Sequence, residues 1–423
     1  MKKSTIITII AFVLGIVVLT TAFILLTDNN ISKSLKPTTT VPTTTPTTAP
    51  NNYAYPAPDY TTFNFLVDDV TQWITLGQCR DLVVDVDKME ITEEDIDLQL
   101  HIILCQKDLH SKKLGGTIEE KNIFSFDYTG YLLKEDGTTR DKEMSNGKAS
   151  GQLAYIDGND LITLSTSNSQ LSGFIDGFAQ GMLGMSVGES KTLKITFPEE
   201  YPLNPDMAGK KVEFDVKVNY IAQTEFDDDT AKHISNNKYN TVSEYKENLR
   251  KELEDSLEYQ NKQIILSKIL ENVTIVASAE KQTEYIFSLL CEQVESYVDQ
   301  YAALGYKLTF GEMLKNMSGY NSIDELRAYA QEFAASEKGQ LAIKQNTLLY
   351  AIIVSEQIEM TEEDYNTELE ELSKEMNKTV EQLYEEYTEE FIRVYLNEQI
   401  LLDKAEKSLE DMIATCECVL KSN

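Results

Sequence analysis

Residue types that carry out covalent or metal chemistry are sparse in this chain of 423 residues. The three histidines, His101, His110 and His233, lie far apart in the sequence. The five cysteines form neither a CxxC pair nor a zinc-binding spacing; they are Cys79, Cys105, Cys291, Cys416 and Cys418. We therefore expect no histidine-based metal site, no catalytic triad and no cofactor. Any catalysis by this chain would therefore depend on an apolar, aromatic binding surface.

Aromatic and β-branched residues alternate with polar ones in three stretches between positions 121 and 221. The alternating apolar residues are Phe124, Phe126 and Tyr128; Leu193, Ile195 and Phe197; and Val212, Phe214, Val216 and Val218. This period of two is typical of half-buried antiparallel strands. The sequence therefore predicts three strands that share one apolar face.

A short helix is predicted between the first and second of these strands. Ile175, Phe178 and Met182 recur at helical spacing on one face. The segment that follows, Ser186-Val-Gly-Glu189, is a turn that returns the chain to a strand. A curved sheet wrapped on this helix would enclose an apolar hollow lined by aromatic side chains.

These stretches resemble the FKBP-type peptidyl-prolyl isomerases, in the version carried by trigger factor. The matching fragments are Tyr-Thr-Gly at 128–130, Asp136-Gly137, Gly177-Phe178, Gly184-Met185, Val187-Gly188-Glu189, Phe197-Pro-Glu-Glu-Tyr201, Ala208-Gly-Lys210 and Phe214-Asp-Val216. Eight fragments in the family's order make the resemblance specific. It implies a curved antiparallel sheet wrapped on a short helix.

The resemblance also implies a pocket for proline-containing segments. Phe178 would form its floor, and its walls would be Tyr128, Phe174, Tyr201 and Phe214. The backbone N–H of Ile175 would donate to the substrate carbonyl, and Asp141 matches the acidic residue at the rim. Rotation about an X-Pro bond faces a barrier of about 18–20 kcal/mol. A cavity that desolvates the amide favours its less conjugated, twisted form without a nucleophile or a metal.

Two features depart from the family pattern. Arg140 stands where the family usually has an aromatic residue before the rim acid. The segment between Gly147 and Gly173 is longer and more polar than usual, which predicts an extended flap. Either feature could abolish turnover. The alternative is therefore a catalytically weak or silent holdase, or a surface protein-binding module, that uses the FKBP barrel as a scaffold.

The first sixty residues predict a membrane anchor and a spacer. The uncharged run from Ile6 to Leu26 would span about 30 Å as a helix, enough to cross a bilayer. Residues 1–5 carry Lys2 and Lys3 and would stay in the cytoplasm. Residues 27–59 form a Thr/Pro-rich disordered linker. We predict an uncleaved signal anchor in the cell membrane with the bulk extracytoplasmic; a cleaved secretory signal is the alternative.

Residues 60–118 predict a strand and a helix that precede the isomerase domain at 119–222. Leu82 to Val86 is the strand, and Thr92 with Asp95 begins the helix as a capping box. This order again resembles trigger factor. The family's ribosome-docking domain has no counterpart in the sequence, so no ribosome binding is expected.

Residues 223–423 predict an all-α domain. Thr241 with Glu244 and Ser322 with Glu325 are capping boxes, and further helix starts occur at Thr361 and Thr388. The order and length of these helices resemble the trigger factor and SurA-like chaperone domain, which holds unfolded chains. The expected fold class is therefore α+β, with an N-terminal transmembrane helix, an FKBP-like domain and a helical domain.

The charge balance restricts the partners. The chain has 70 acidic and 38 basic residues, a net charge of −32. Nucleic acid and ribosomal RNA require basic surfaces, so neither is expected as a partner. The sequence predicts an extracytoplasmic peptidyl-prolyl cis-trans isomerase and chaperone. Its partners would be unfolded or newly secreted polypeptides with X-Pro bonds, and the membrane through residues 6–26.

Overall fold

The computed structural model describes residues 53–134, 136–164, 174–201 and 204–421. The predicted cytoplasmic N-terminus, the predicted anchor over 6–26 and most of the predicted linker over 27–59 lie outside the described residues. So do residues 165–173 of the predicted flap.

Strands and helices are numbered in chain order within the described residues. The strands are β1 (Ile74–Thr75), β2 (Val83–Val86), β3 (Ser111–Lys113), β4 (Phe124–Leu133), β5 (Arg140–Asp157), β6 (Asp160–Thr163), β7 (Ser190–Thr196), β8 (Lys211–Gln223), β9 (Thr274–Ile275) and β10 (Glu417–Leu420). The helices are α1 (Glu93–Gln106), α2 (Phe178–Met182), α3 (Asp228–Ile234), α4 (Val242–Asn272), α5 (Ala279–Ala303), α6 (Phe310–Ser318), α7 (Ile323–Ala335), α8 (Glu337–Ser355), α9 (Glu362–Glu375), α10 (Val380–Glu386) and α11 (Glu389–Ala414).

The chain divides into two compact units. The sheet unit is formed by residues 88–259, and the helical unit by the described residues before 88 together with those from 260 onward. The predicted combination of a β-sheet domain and a helical domain is therefore confirmed. The predicted domain boundaries at 118/119 and 222/223 stay predictions about folding units.

The sheet unit contains one antiparallel sheet of six strands in the order β3-β8-β4-β5-β6, with β7 also paired to β8. One edge of β8 is shared by β7 and β3, and its other edge pairs with β4 from Phe124 to Leu132. The three stretches with period-two alternation form β4, β7 and β8 as predicted. Their inward residues, including Phe124, Phe126 and Val218, are buried in one core with the short helix α2.

Much of the predicted flap is part of the sheet. Residues 147–157 continue β5, and β6 returns antiparallel to it from Asp160. Ala154, Ile156 and Leu161 are buried in the core, which explains why this polar-looking segment forms a hairpin. The described part of the 147–173 segment is therefore held by strand pairing.

A small helical layer completes the sheet unit. Helix α1 begins at Thr92, whose side chain accepts from the Asp95 N–H while the Asp95 carboxylate accepts from the Thr92 N–H. This is the predicted capping box. Ile96 and Leu100 of α1 pack against Leu249, in the part of α4 that belongs to this unit.

The helical unit is built around α5, α7 and α8. Its core is formed by residues such as Ile286 and Leu290 of α5, Ala330 of α7 and Ile352 of α8. The predicted starts at Ser322, Thr361 and Thr388 are confirmed, because each of these side chains caps its helix. A second cluster joins α9, α10 and α11 through Tyr365, Leu369, Leu383, Ile392, Leu396 and Ile400.

The described residues before residue 88 pair with strands of the helical unit and pack into its core. Strand β1 pairs antiparallel with β9, and β2 pairs parallel with β10, so Val83 lies opposite Glu417. Trp73 is fully buried among Phe63, Phe65 and Tyr285, with ring centroids 5.2–5.3 Å from its own. The strand predicted at 82–86 does form, but its partner is the C-terminal strand of the chain.

Candidate active site

An apolar cavity lies where strands β4, β5 and β8 curve over α2. Its volume is about 340 Å³, within the range of small-ligand pockets. The lining residues are Tyr128, Met144, Ser145, Gly147, Gln152, Thr163, Phe174, Ile175, Phe178, Phe197, Tyr201 and Phe214.

Half of the residues that line the cavity are aromatic. Phe178 is fully buried at the floor, and its ring centroid lies 4.3 Å from that of Phe174 and 5.1 Å from that of Phe214. Tyr128 meets Phe174 edge-on at 5.2 Å, and Phe197 meets Tyr201 at 5.0 Å. Edge-to-face ring pairs stabilise a particular ring orientation in addition to the stabilisation that comes from burying apolar area. The cavity is therefore a preformed aromatic hollow.

The backbone around α2 sets the position of Phe178. Gly177 begins the helix with φ of 90°, a left-handed conformation that side chains rarely adopt. The Phe178 N–H then donates to the Ile175 carbonyl over 3.2 Å. This turn places Ile175 at the rim and Phe178 at the floor.

Gly130 on β4 is required by close packing at the cavity wall. A Cβ at this position would lie 2.6 Å from Cε1 of Phe214 and 3.0 Å from Sδ of Met144. The Phe214 ring can therefore lie flat across β4 only because residue 130 has no side chain.

Six of the seven predicted site residues line the cavity: Tyr128, Phe174, Ile175, Phe178, Tyr201 and Phe214. Asp141 does not. It is exposed on β5, between Arg140, which pairs with Leu133, and Lys142, which pairs with Leu132. These pairs lie toward the far end of the β4–β5 ladder, so the strand register carries Asp141 away from the rim.

Met144 and Ser145 lie at the rim where Arg140 and Asp141 were expected. Gln152, Thr163 and Phe197 are further lining residues that the sequence reasoning did not assign. Phe197 could have been found, because it ends the alternation that begins at Leu193. Met144 could not, because the β-bulges between β4 and β5 decide which residues of β5 face inward.

Arg140 belongs to a charged network on the outer face of the sheet. Its guanidinium donates to both carboxylate oxygens of Asp215, over 2.7 and 2.6 Å, and to Glu213 over 2.7 Å. It also lies over the ring of Tyr131, 4.3 Å from the centroid. Arg140 therefore does not obstruct the cavity, which removes one reason to expect a silent barrel.

Two family models match the regions just described. The model described as "FKBP-type peptidyl-prolyl cis-trans isomerase" matches residues 115–219. The model described as "Bacterial trigger factor protein (TF) C-terminus" matches residues 241–409.

Curated relatives join both regions in one chain. The trigger factor of Caldicellulosiruptor bescii is 29% identical over 339 residues, which cover 78% of this chain and 68% of that protein. The trigger factor of Staphylococcus saprophyticus is 30% identical over 318 residues, covering 73% of this chain and 65% of that protein. The chain is similar to trigger factors. The resemblance read from the sequence is confirmed at this level, and the chain spans about two thirds of the length of these relatives.

A solved structure of the trigger factor chaperone is similar over 80% of this chain and 73% of its own chain. Its sequence identity is 16% and its TM-score 0.26.

The predicted localisation, a single-pass cell-membrane protein with its bulk extracytoplasmic, is contradicted by the relatives, which are described as trigger factors. No helix among residues 53–134, 136–164, 174–201 and 204–421 is long and apolar enough to cross a membrane. Even α4, with 31 residues, carries charged side chains along its whole length. The segment predicted as an anchor, 6–26, lies outside the described residues.

The polar groups at the cavity have no arrangement typical of acid–base catalysis. Burial raises the pKa of the Tyr128 phenol, so this hydroxyl stays neutral over the physiological range. In the part of the chain that the structure describes, no group of three or more His, Cys, Asp or Glu could hold a metal ion. What the cavity offers chemically is an aromatic floor and walls beside uncharged hydrogen-bonding side chains, among them Ser145, Gln152 and Thr163.

Replacing Arg140 with alanine should leave the cavity intact, because the guanidinium lies outside it. Hydrogen bonds from Arg140 hold the pKa of Asp215 and of Glu213 below their usual values. We expect Arg140→Ala to cost about 1 kcal/mol at pH 7, since 37% of the Arg140 side chain is exposed and solvent screens the pairs.

The pH dependence of this loss has a definite sign. A lowered folded-state pKa stabilises the fold above the unfolded carboxyl value of about 4, and the stabilisation disappears as pH falls through the folded value. The free energy of unfolding of both proteins can be measured with urea between pH 7 and pH 3. As the pH falls, it should therefore decrease less in Arg140→Ala than in the parent. An equal or steeper loss would contradict the assignment of this network.

Proposed function

We propose that the chain is a peptidyl-prolyl cis-trans isomerase and a chaperone for unfolded polypeptides that contain X-Pro bonds. The observation that carries the isomerase assignment is the aromatic cavity closed at its floor by Phe178. The match to the FKBP-type isomerase model over residues 115–219 supports the same reaction. The reaction needs neither a nucleophile nor a metal, which agrees with the residue types at the cavity.

In this mechanism the prolyl ring enters the cavity and lies against Phe178. Tyr128, Phe174 and Phe214 replace water around the amide, and loss of water disfavours the planar, more polar amide relative to the twisted form. The backbone N–H of Ile175 at the rim would donate to the carbonyl before the proline. Tyr201, half-buried beside Phe197, would cover the outer side of the ring.

The helical unit is proposed to hold the unfolded client. Several of its large apolar side chains are exposed, among them Leu304 and Tyr306 after α5 and Phe391 and Val394 on α11. Surface of this kind binds apolar segments of unfolded chains. A client held there has a higher effective concentration at the isomerase cavity than a free client of the same sequence.

The test compares two half-buried tyrosines of the sheet unit in the full chain. Tyr201 lines the cavity, whereas Tyr131 lies on the outer face beside Arg140. Tyr201→Ala should lower the isomerisation rate of an Xaa-Pro peptide about tenfold, because one wall becomes open to water. Tyr131→Ala should leave that rate unchanged at a similar loss of stability.

The same three proteins should then be tested in proline-limited refolding and in suppression of aggregation. If the parent accelerates neither peptide isomerisation nor refolding, yet prevents aggregation, the isomerase assignment fails. The barrel would then be the scaffold of a holdase. If Tyr201→Ala and Tyr131→Ala lowered the isomerisation rate equally, the cavity would not be the site of isomerisation.

A further inference from the structure

Residues 53–60 lie against the start of helix α6 in the helical unit, and the Tyr55 N–H donates back to the Tyr53 carbonyl over 2.9 Å. Their side chains alternate, so that Tyr53, Tyr55 and Ala57 are half-buried while Ala54 and Pro56 are exposed. Residues 54–60 form no helix and no strand. We call this segment the strap. Its sequence, Tyr-Ala-Tyr-Pro-Ala-Pro-Asp-Tyr, is aromatic and proline-bearing, as an unfolded client segment would be.

Helix α6 binds the strap through the strap's backbone. The N–H of Gly311, near the beginning of α6, donates to the Tyr55 carbonyl over 3.1 Å. The hydroxyl of Thr309, the N-cap of α6, donates to the Tyr53 carbonyl over 3.1 Å. The first N–H groups of a helix have no partner within it, so they are available to a peptide. Recognition of carbonyls does not depend on the peptide's sequence.

The contact with the strap requires that residue 311 has no side chain. A Cβ on Gly311 would lie 2.3 Å from the Tyr53 carbonyl oxygen and 2.5 Å from Cε1 of Tyr55. Glycine is unfavourable inside a helix, so its presence here is explained by the close approach of another backbone. The surface at the start of α6 is therefore a groove in which a peptide backbone can approach the helix closely.

The strap fits this groove imperfectly at one position. The Tyr53 hydroxyl donates to Asn321 over 3.1 Å, and the Tyr60 hydroxyl donates to Glu295. The Tyr55 hydroxyl, in contrast, is buried and has no hydrogen-bond partner among the described residues. A buried hydroxyl without a partner weakens binding. A client with phenylalanine at this position would avoid that loss.

We propose that the start of α6 is a peptide-binding groove for segments with aromatic residues two positions apart, and that the strap occupies it until a client displaces it. The proposal deepens the chaperone function and rests on it. The strap acts as an intramolecular competitor, so it lowers the apparent affinity for weak ligands.

The probe is a fluorescent peptide with the strap sequence, titrated against the full chain. The double variant Tyr53→Ala, Tyr55→Ala should bind it at least tenfold more tightly than the parent, because the competing strap is weakened. Adding Gly311→Ala to this variant should abolish binding, although alanine favours the helix. Adding Asn316→Ala instead, at an exposed position of the same helix, should leave binding of the probe unchanged.

Probe analogues test the chemistry of the groove. Phenylalanine at the Tyr55 position should bind as tightly as the parent probe or more tightly. Phenylalanine at the Tyr53 position should bind about fivefold more weakly, because the bond to Asn321 is lost. Equal affinity of parent and double variant, or binding that Gly311→Ala does not change, overturns the proposal.

A measurement on the parent keeps the test independent of folding defects. Saturating unlabelled probe should increase chymotrypsin cleavage within residues 53–60, and unchanged cleavage overturns displacement. Aggregation suppression by the parent is measured in parallel. Suppression without probe binding overturns the groove alone, whereas probe binding without suppression overturns the chaperone function and leaves the groove.

Discussion

Replacing Phe178 with leucine should lower the isomerisation rate of an Xaa-Pro peptide by at least tenfold. Leucine fills part of the floor but removes the ring that packs on Phe174 and Phe214. The prolyl ring would lose its contact surface, and water could enter beside the amide. Phe178 is fully buried, so we also expect a loss of about 1–2 kcal/mol of stability.

Phe124→Leu is the matched control for this prediction. Phe124 is also fully buried in the core of the sheet unit, but it does not line the cavity. Both variants should lose similar free energy of unfolding in urea, while only Phe178→Leu loses isomerisation. An equal loss of isomerisation rate in both variants would contradict this role of Phe178, because general loosening of the core would then explain the loss.

Local patterns were sufficient for most of the sheet unit. The alternation of Phe124, Phe126 and Tyr128 predicts β4, and the spacing of Phe178 and Met182 predicts α2. These signals are local because side-chain direction in a strand depends only on position along the strand. Tyr128, Phe178, Tyr201 and Phe214 could be named in advance because each lies in a fragment that resembles the FKBP-type isomerases. Phe174 and Ile175 lie just before one of these fragments, Gly177-Phe178.

Asp141 and Met144 show where such reasoning fails. Register shifts in the β4–β5 ladder occur between Phe126 and Tyr128, between Thr129 and Tyr131, and between Leu132 and Leu133. Each shift changes which residue of β5 faces inward. The shifts depend on both strands together, so the sequence of β5 alone could not reveal that the rim is formed by Met144 and Ser145.

The pairing of distant segments was also beyond the sequence. Leu82–Val86 was predicted as a strand, but nothing in it indicates that Val83–Val86 pairs with Glu417–Leu420, which lies far away in the sequence. Trp73 has no periodic neighbours in the sequence, and its aromatic partners come from Phe63, Phe65 and α5. Contacts across such separations leave no local periodicity, so neither segment signals its partner.

Trp73→Ala should have the largest effect on the helical unit. The side chain is fully buried among three aromatic rings, and the Lys281 ammonium lies 4.6 Å from its ring centroid. Truncating a buried tryptophan costs about 3–5 kcal/mol. Its carbonyl also accepts from the N–H groups of Val276 and Ala277 over 2.8 and 3.2 Å, so local disorder would extend to the segment after β9. We expect helical content to unfold at lower urea concentration and aggregation suppression to fall strongly.

Isomerisation of a short peptide should survive this change, because the cavity is built from residues of the sheet unit. Val67→Ala is the control in the same segment, since 82% of Val67 is exposed and its removal should change neither activity. Trp73 is the only tryptophan of the chain, so its fluorescence follows unfolding of the helical unit in the parent. Circular dichroism follows it in the variant. If Trp73→Ala abolished peptide isomerisation while the sheet unit stayed folded, the cavity would depend on the helical unit, and the assignment of the two activities to separate units would be wrong.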